Sequence, residues 1–191
     1  MNNKPNLSKS IVLKTSAKLF REQSFAQVSM RGIAKALNVK AASLYNHISS
    51  KDEILEGLIF ELVEIFMSKI KKTHAKHINT KSKLEDIIQT HIDIAIHKPN
   101  QYATLNNDWK YLKAEKKTLF LDQRQTYEQI LETIVKNGIK NKDIKDCNPE
   151  IIMYLMLSSL RTLHLWYEKK DIDTQTFKKE IPKLILGGII K

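Results

Sequence analysis

"SMRGIAKALNVKAASLYNHISSKDEIL", residues 29–55, decides how this chain is read. Its centre, "NVKAASLYNH" (38–47), has the look of a short helix with little to bury. Val39, Leu44 and Ile48 are the few inward positions. Lys40, Ala41, Ala42, Ser43, Tyr45, Asn46 and His47 are left for the outside. Such a helix must be held by its neighbours, and its exposed groups are free to meet a partner.

The neighbours supply that hold. Ser29 is a good N-cap, because its hydroxyl can accept from an orphan N–H at the start of a helix. Val28 before it and Ile33 after it have the spacing of a hydrophobic staple. That helix ends near Leu37, and Asn38 tolerates the left-handed backbone of a tight turn. Two helices joined by a three- or four-residue turn form a helix-turn-helix. Upstream, the spacing predicts a helix over 8–22 with Leu13, Ala17 and Phe20 inward, and Ile11, Val12 and Leu19 beside them. Downstream, Ser50 and Glu53 have capping-box spacing. They open a long helix over about 51–76 with Leu55, Leu58, Ile59, Leu62, Phe66 and Ile70 on one stripe.

The same periodicity runs through the rest of the 191 residues. Apolar residues recur at three- and four-residue spacing and strand-like alternation is nearly absent, so the fold class is all-α, with about nine helices. Ser82 and Glu85 repeat the capping-box spacing ahead of a helix carrying Leu84, Ile87, Ile88, His91, Ile92 and Ala95. A short helix near 101–106 leads to a long one over about 108–136, stopped at Asn137–Gly138. Asn148 and Pro149 read as N-cap and N1 of a helix reaching about Lys169. The last helix, from about Thr174, has Phe177, Ile181, Leu184 and Ile185 inward. The expected organisation is a helix-turn-helix part over 1–48 and a helical part over 49–191, linked by the helix at 51–76.

Charge points the same way. The chain carries a net +11, yet residues 1–50 hold eight Lys or Arg against one acid, Glu22. A basic N-terminal quarter suggests a polyanionic partner, although a solvated lysine-rich surface gives the same count. Cys147 is the only cysteine, so no intrachain disulfide is expected. The opening "MNNKPNLSKS" lacks the apolar core of a signal peptide and no run approaches a membrane span. A reducing cytoplasm and no membrane partner are the expectation.

The helix at 40–47 offers what DNA contact needs. Lys40 can pair with phosphate; Ser43, Tyr45 and His47 can bond phosphate oxygens or base edges. Ala41 and Ala42 let backbone and thymine methyl groups approach, and Asn46 could read adenine. In helix-turn-helix proteins the second helix enters the major groove. Ser29 and Arg31, at the start of the first helix, join this DNA-facing set. The bland alternative is that Tyr45 and His47 are a core pair.

Taken together, Ser29, Ile33, Ala34, Asn38, Val39, Leu44, Tyr45, His47 and Lys51 resemble the N-terminal signature of the TetR family of transcriptional regulators, over about residues 8–60. The resemblance implies that Tyr45, His47 and Lys51 hold phosphates while Lys40, Ala42, Ser43 and Asn46 face the groove. It also implies a homodimer, a double-stranded DNA operator, and release by a small effector. Asn38 and Ser24 stand where glycine is usual, Ile48 where phenylalanine is, and Gly32 lies inside a helix.

The pieces "NDWKYL" (107–112), "RQTYEQILETIVKNGI" (124–139) and "LHLWYE" (163–168) resemble acyl-CoA-responsive members of that family. The expected effector is a small hydrophobic molecule, an acyl-CoA first, held by Phe66, His91, Trp109, Tyr127 and Arg161. Each of these also reads as ordinary core, and Arg161 as a dimer contact, a ligand contact or a snorkelling cation. The helices at 149–169 and 174–187 carry the apolar surface expected of the dimer interface. His74 and His77 are three apart, but no carboxylate or cysteine completes a metal set, and no metal or cofactor is expected. No nucleotide-binding or hydrolase motif occurs. The alternatives are a basic helical adaptor for RNA or an anionic membrane, and, remotely, an all-α enzyme.

Overall fold

The computed structural model describes residues 7–167 and 172–190, without the side chain of Trp166. The chain is all-α. In order come α1 (Lys9–Gln23), α2 (Met30–Ala36), α3 (Ala41–Tyr45), α4 (Lys51–Ala75), α5 (Thr80–His97) and α6 (Pro99–Asn107). A 3-10 turn at Trp109–Tyr111 follows, then α7 (Ala114–Lys140), α8 (Pro149–Arg161), α9 (Leu163–Tyr167) and α10 (Thr174–Gly187). The only β pairing among the described residues is a single bridge, Ile144 to Ile190. Among the described residues no helix is long and apolar enough to cross a membrane.

Two compact units form. One joins the residues up to Leu62 with Asn100–Phe120; the other joins Val63–Pro99 with the residues from Leu121 onward. The sequence expectation set a division at residue 48. It differs because Leu55, Leu58, Ile59 and Leu62 of α4 are buried in the first unit. Three short helices alone have too little apolar surface for a core.

In the N-terminal unit α1 packs on α2 and α2 on α3. The buried face of α1 is Val12, Ser16, Ala17 and Phe20: Ala17 and Phe20 point inward as expected, while Leu13 is only half-buried and Val12 is buried in its stead. Ser29 caps α2 by accepting from the Gly32 N–H at 3.1 Å. Val28 and Ile33, the staple pair, are both buried. Asn38 takes φ 53°, and the Val39 N–H returns to the Ala34 carbonyl at 3.0 Å, closing the turn.

In the second unit α5 packs against α8, α9 and α10. Its apolar face, Leu84, Ile87, Ile88, His91, Ile92 and Ala95, is buried as the periodicity requires. Asn79, not Ser82, caps it: the Asn79 side chain accepts from the Ser82 N–H at 2.8 Å. The helix therefore starts three residues earlier than expected. α7 does not stop at Asn137–Gly138 but runs on to Lys140. Gly138 serves close approach instead, since a Cβ there would stand 2.5 Å from Thr80 Cγ2. The expected helix over 149–169 is interrupted at Thr162, and Lys169 lies outside the described residues. α10 buries Phe177, Pro182 and Leu186, while Leu184 is 71% exposed and Ile181 and Ile185 are half-buried.

Candidate nucleic-acid interface

α3 is five residues long, too short to persist alone. Leu44 and Ile48, each almost wholly buried, anchor it from below. Its N-cap position is Lys40, with no side-chain cap bond. The outward residues are Lys40, Ala42, Tyr45, Asn46 and His47, all exposed, with Ala41 and Ser43 half-buried. Tyr45 is 53% exposed, which removes it from the core. Among the described residues, nothing bonds the side chains of Lys40, Tyr45, Asn46 or His47. Ser29 and Arg31 are exposed at the N-terminus of α2, where peptide N–H groups favour an anion.

The start of α4 is fixed by a small polar cluster. Ser50 Oγ accepts the Glu53 N–H at 3.1 Å, as a capping box requires. The Glu53 carboxylate turns instead to Ser49, accepting from its N–H at 2.8 Å and its hydroxyl at 2.7 Å. It also pairs with Lys9 of α1 at 2.8 Å. Lys9 first, then Ser49, hold the Glu53 carboxyl down to about 2. This tie between α1 and α4 was not foreseen from the sequence.

Lys51, expected to hold a phosphate, is engaged within the fold. Its ammonium donates to the carbonyls of Phe25 and Val28, at 2.8 Å each, and stands 4.2 Å from the centroid of the Phe25 ring. Two of its three donors are thus engaged on the loop between α1 and α2.

Of the five residues expected to hold an effector, three come together in the second unit. Phe66 of α4, His91 of α5 and Tyr127 of α7 are all buried. The Phe66 ring lies 4.6 Å from His91 and 5.9 Å from Tyr127, centroid to centroid. His91 Nε2 and Tyr127 Oη are 3.0 Å apart. Burial, with the Arg161 charge second, pushes the imidazole down to about 3, while burial raises the Tyr127 phenol above its ordinary value against the opposing Arg161 charge. Arg161 donates to Glu128 at 2.8 Å, and Arg124 to the same oxygen at 3.1 Å. Glu128, the partner that neutralises Arg161, was not singled out from the sequence. Trp109 does not share a helix with Tyr127. It lies in the 3-10 turn of the N-terminal unit, stacked on Phe120 at 5.6 Å. His74 and His77 find no third ligand: among the described residues no three His, Cys, Asp or Glu gather as a metal site.

Two family descriptions match the chain. Residues 12–58 match "Bacterial regulatory proteins, tetR family", and residues 77–189 match "Tetracyclin repressor-like, C-terminal domain". The chain is similar to the HTH-type transcriptional repressor KstR2 of Rhodococcus jostii (strain RHA1), 22% identical over 184 residues, covering 93% of this chain and 89% of that protein. Among solved structures it is similar to the ketosteroid transcriptional regulator KstR2 of Mycobacterium tuberculosis, with TM-score 0.88, 17% identity, and 96% and 95% of the two chains covered. It is also similar to AibR in complex with isovaleryl coenzyme A and operator DNA, with TM-score 0.78, 16% identity, and 92% and 96% covered. At these identities the structural likeness establishes the fold.

Proposed function

The chain belongs to the TetR family of bacterial regulatory proteins, and from that premise we propose that it is a homodimeric repressor released from a palindromic operator by a small hydrophobic effector. It is a DNA-binding transcriptional regulator and not an enzyme. The observation that carries the reading is the outward face of α3, whose polar side chains have no use inside the fold.

In this reading Tyr45 and His47 hold phosphates, as do Ser29 and Arg31 at the start of α2. Lys40, Ala41, Ala42, Ser43 and Asn46 face the groove. Lys51 contributes by fixing the loop that aims α2, rather than through phosphate. Ile151, Tyr154 and Leu155 of α8 and Leu184 of α10 support a two-fold interface, because all four are exposed and the first three share one helix face. Leu157, by contrast, is buried in its own chain. Leu155→Glu is therefore the variant expected to give monomers without unfolding the subunit.

An acyl-CoA is the first candidate effector. Support comes from the relative solved with isovaleryl coenzyme A and from the His91–Tyr127 pair, which sets two polar atoms among apolar walls. To release DNA, the effector must bind the non-binding conformation better than the binding one.

Two titrations test the proposal. Tyr45→Ala and His47→Ala should each weaken binding to all duplexes alike, roughly tenfold, and Arg31→Ala should in addition lower the salt slope by about one. Weakening confined to particular sequences would remove the phosphate role of Tyr45 and His47, and an unchanged slope in Arg31→Ala would remove that of Arg31. Acyl-CoAs of graded length, with free CoA as control, should release the operator complex more effectively as the chain grows. No release at any length, in protein that still binds DNA, would remove acyl-CoA.

A further inference from the structure

The loop between α1 and α2 aims α2, and α2 in turn carries α3. Two side chains from elsewhere in the N-terminal unit hold this loop. Lys51, in the first turn of α4, takes the Phe25 and Val28 carbonyls. Asp108, the residue after α6, accepts the Phe25 N–H at 3.4 Å. The Phe25 ring is closed in by Phe20, edge-on at 5.2 Å, and by Tyr111 at 5.4 Å. One loop residue is thus gripped at its N–H, its carbonyl and its ring.

Asp108 is an expensive choice for this position. It is only 4% exposed, and burial raises its carboxyl above the ordinary value. A buried carboxylate is costly unless its oxygens are hydrogen-bonded, so Asp108 depends on the donor that Phe25 supplies. The bond it makes is also long for an N–H···O contact, so a shift of a few tenths of an ångström makes or breaks it. The segment that bears it is fastened to the same unit independently of Phe25. Arg21 donates to Asn100 at 3.1 Å, Gln101 donates to the Leu58 carbonyl at 2.9 Å, and Lys113 pairs with Asp52 at 3.1 Å.

We propose that Asp108 is a positioning residue for DNA recognition: through the Phe25 N–H its carboxylate ties the start of α2 to the segment from α6 to Tyr111, so that operator affinity follows the placement of that segment. This deepens the regulation of the proposed DNA site and rests on α2 and α3 being its DNA-binding helices. Neither Asp108 nor Phe25 touches DNA in this account. They set the angle at which α3 is offered.

The test uses the full-length protein and a duplex selected from a random-sequence pool on the wild type. Asp108→Ala should speed hydrogen exchange at the Phe25 amide and weaken binding to the selected duplex roughly tenfold. Binding to random-sequence DNA and the salt slope should stay as in wild type, because no phosphate contact is lost. Asp108→Asn keeps an oxygen acceptor and should remain within about twofold. Tyr111→Ala, at an exposed ring on the same segment, should repeat the pattern and guards against a variant that fails to fold. The inference is overturned if the Phe25 amide opens while affinity holds, if Tyr111→Ala leaves affinity unchanged, or if affinity and salt slope fall together. A wild type that prefers no duplex over random DNA would remove the proposed function as well, a result distinct from any of these.

Discussion

Tyr45 and Tyr127 carry the same phenol in opposite settings. Tyr45 stands on a five-residue helix, 53% exposed, with no partner for its hydroxyl among the described residues. Tyr127 sits inside a 27-residue helix, 8% exposed, bonded to His91 and set edge-on against Phe66. The first region leaves its polar groups unpaired at the surface, and the second pairs them inside the protein. Unpaired polar groups are tolerated in water and costly in a core. The α3 face is therefore open to an outside partner at no cost to stability. The buried cluster takes part in the fold, and any effector that reaches it must replace contacts already made.

The most direct way to break this contrast is to truncate both rings. Tyr127→Ala opens a cavity and strips His91 of its partner, and should cost about 3–5 kcal/mol in urea unfolding. Tyr45→Ala should stay within about 0.5 kcal/mol of wild type. Equal costs would show that Tyr45 is used inside the fold and would weaken the DNA reading with it.

Titration sharpens the contrast next. The folded His91 imidazole protonates at about 3, the unfolded one near its ordinary 6.5. Between those values the unfolded state binds the proton and the folded state does not. Stability that is present above pH 6.5 is therefore lost as pH falls, at up to about 1.4 kcal/mol per pH unit from this group. Melting curves from pH 7 to 5 should show the decline, and His91→Gln should flatten it. An unchanged slope in that variant would mean the imidazole is not kept neutral by burial.

The two regions also differ in how far the sequence exposes them. The helix-turn-helix rests on rules that span four residues or fewer. Ser29 caps Gly32, Val28 precedes the cap, Asn38 turns, and Leu44 and Ile48 repeat at helical spacing. Each is visible in a short window. The ties that assemble the rest join residues far apart: Lys51 to Phe25, Asp108 to Phe25, His91 to Tyr127, Arg161 to Glu128. No local pattern announces them. In the sequence the Lys51 ammonium looks free, and only folding brings the Phe25 and Val28 carbonyls beside it. Periodicity alone groups Trp109 with Tyr127, because it counts through the irregular backbone at Leu112, which ends the 3-10 turn. The Asn137–Gly138 pair misled because a helix stops where the backbone turns left-handed, and that residue is Lys142, at φ 64°.

The smallest effect should come from the loop between α1 and α2. Ser24 ends α1 at φ 68°, ψ 152°, a combination that essentially only glycine adopts without strain. Asn38, at φ 53°, is in the left-handed region that asparagine tolerates. The Ser24 N–H is bonded to the Phe20 carbonyl at 2.8 Å and its carbonyl accepts from Gln27 at 3.3 Å, so the surroundings hold the conformation. Ser24→Gly keeps both bonds and removes the clash of the side chain with its own backbone. Against that, glycine adds freedom to the unfolded chain, about 0.5–1 kcal/mol. The strain is worth about 1–3 kcal/mol, so the variant should gain about 1 kcal/mol, a rise of about 2–4 °C in Tm for a chain of this size. Asn38→Gly should gain less, because less strain is relieved there. DNA affinity should not change in either variant, since the loop geometry is kept. A Ser24→Gly protein that melts below wild type would show that the serine side chain supports the loop more than its backbone strains it. The grip on Phe25 would then begin one residue earlier than Asp108 and Lys51 define it.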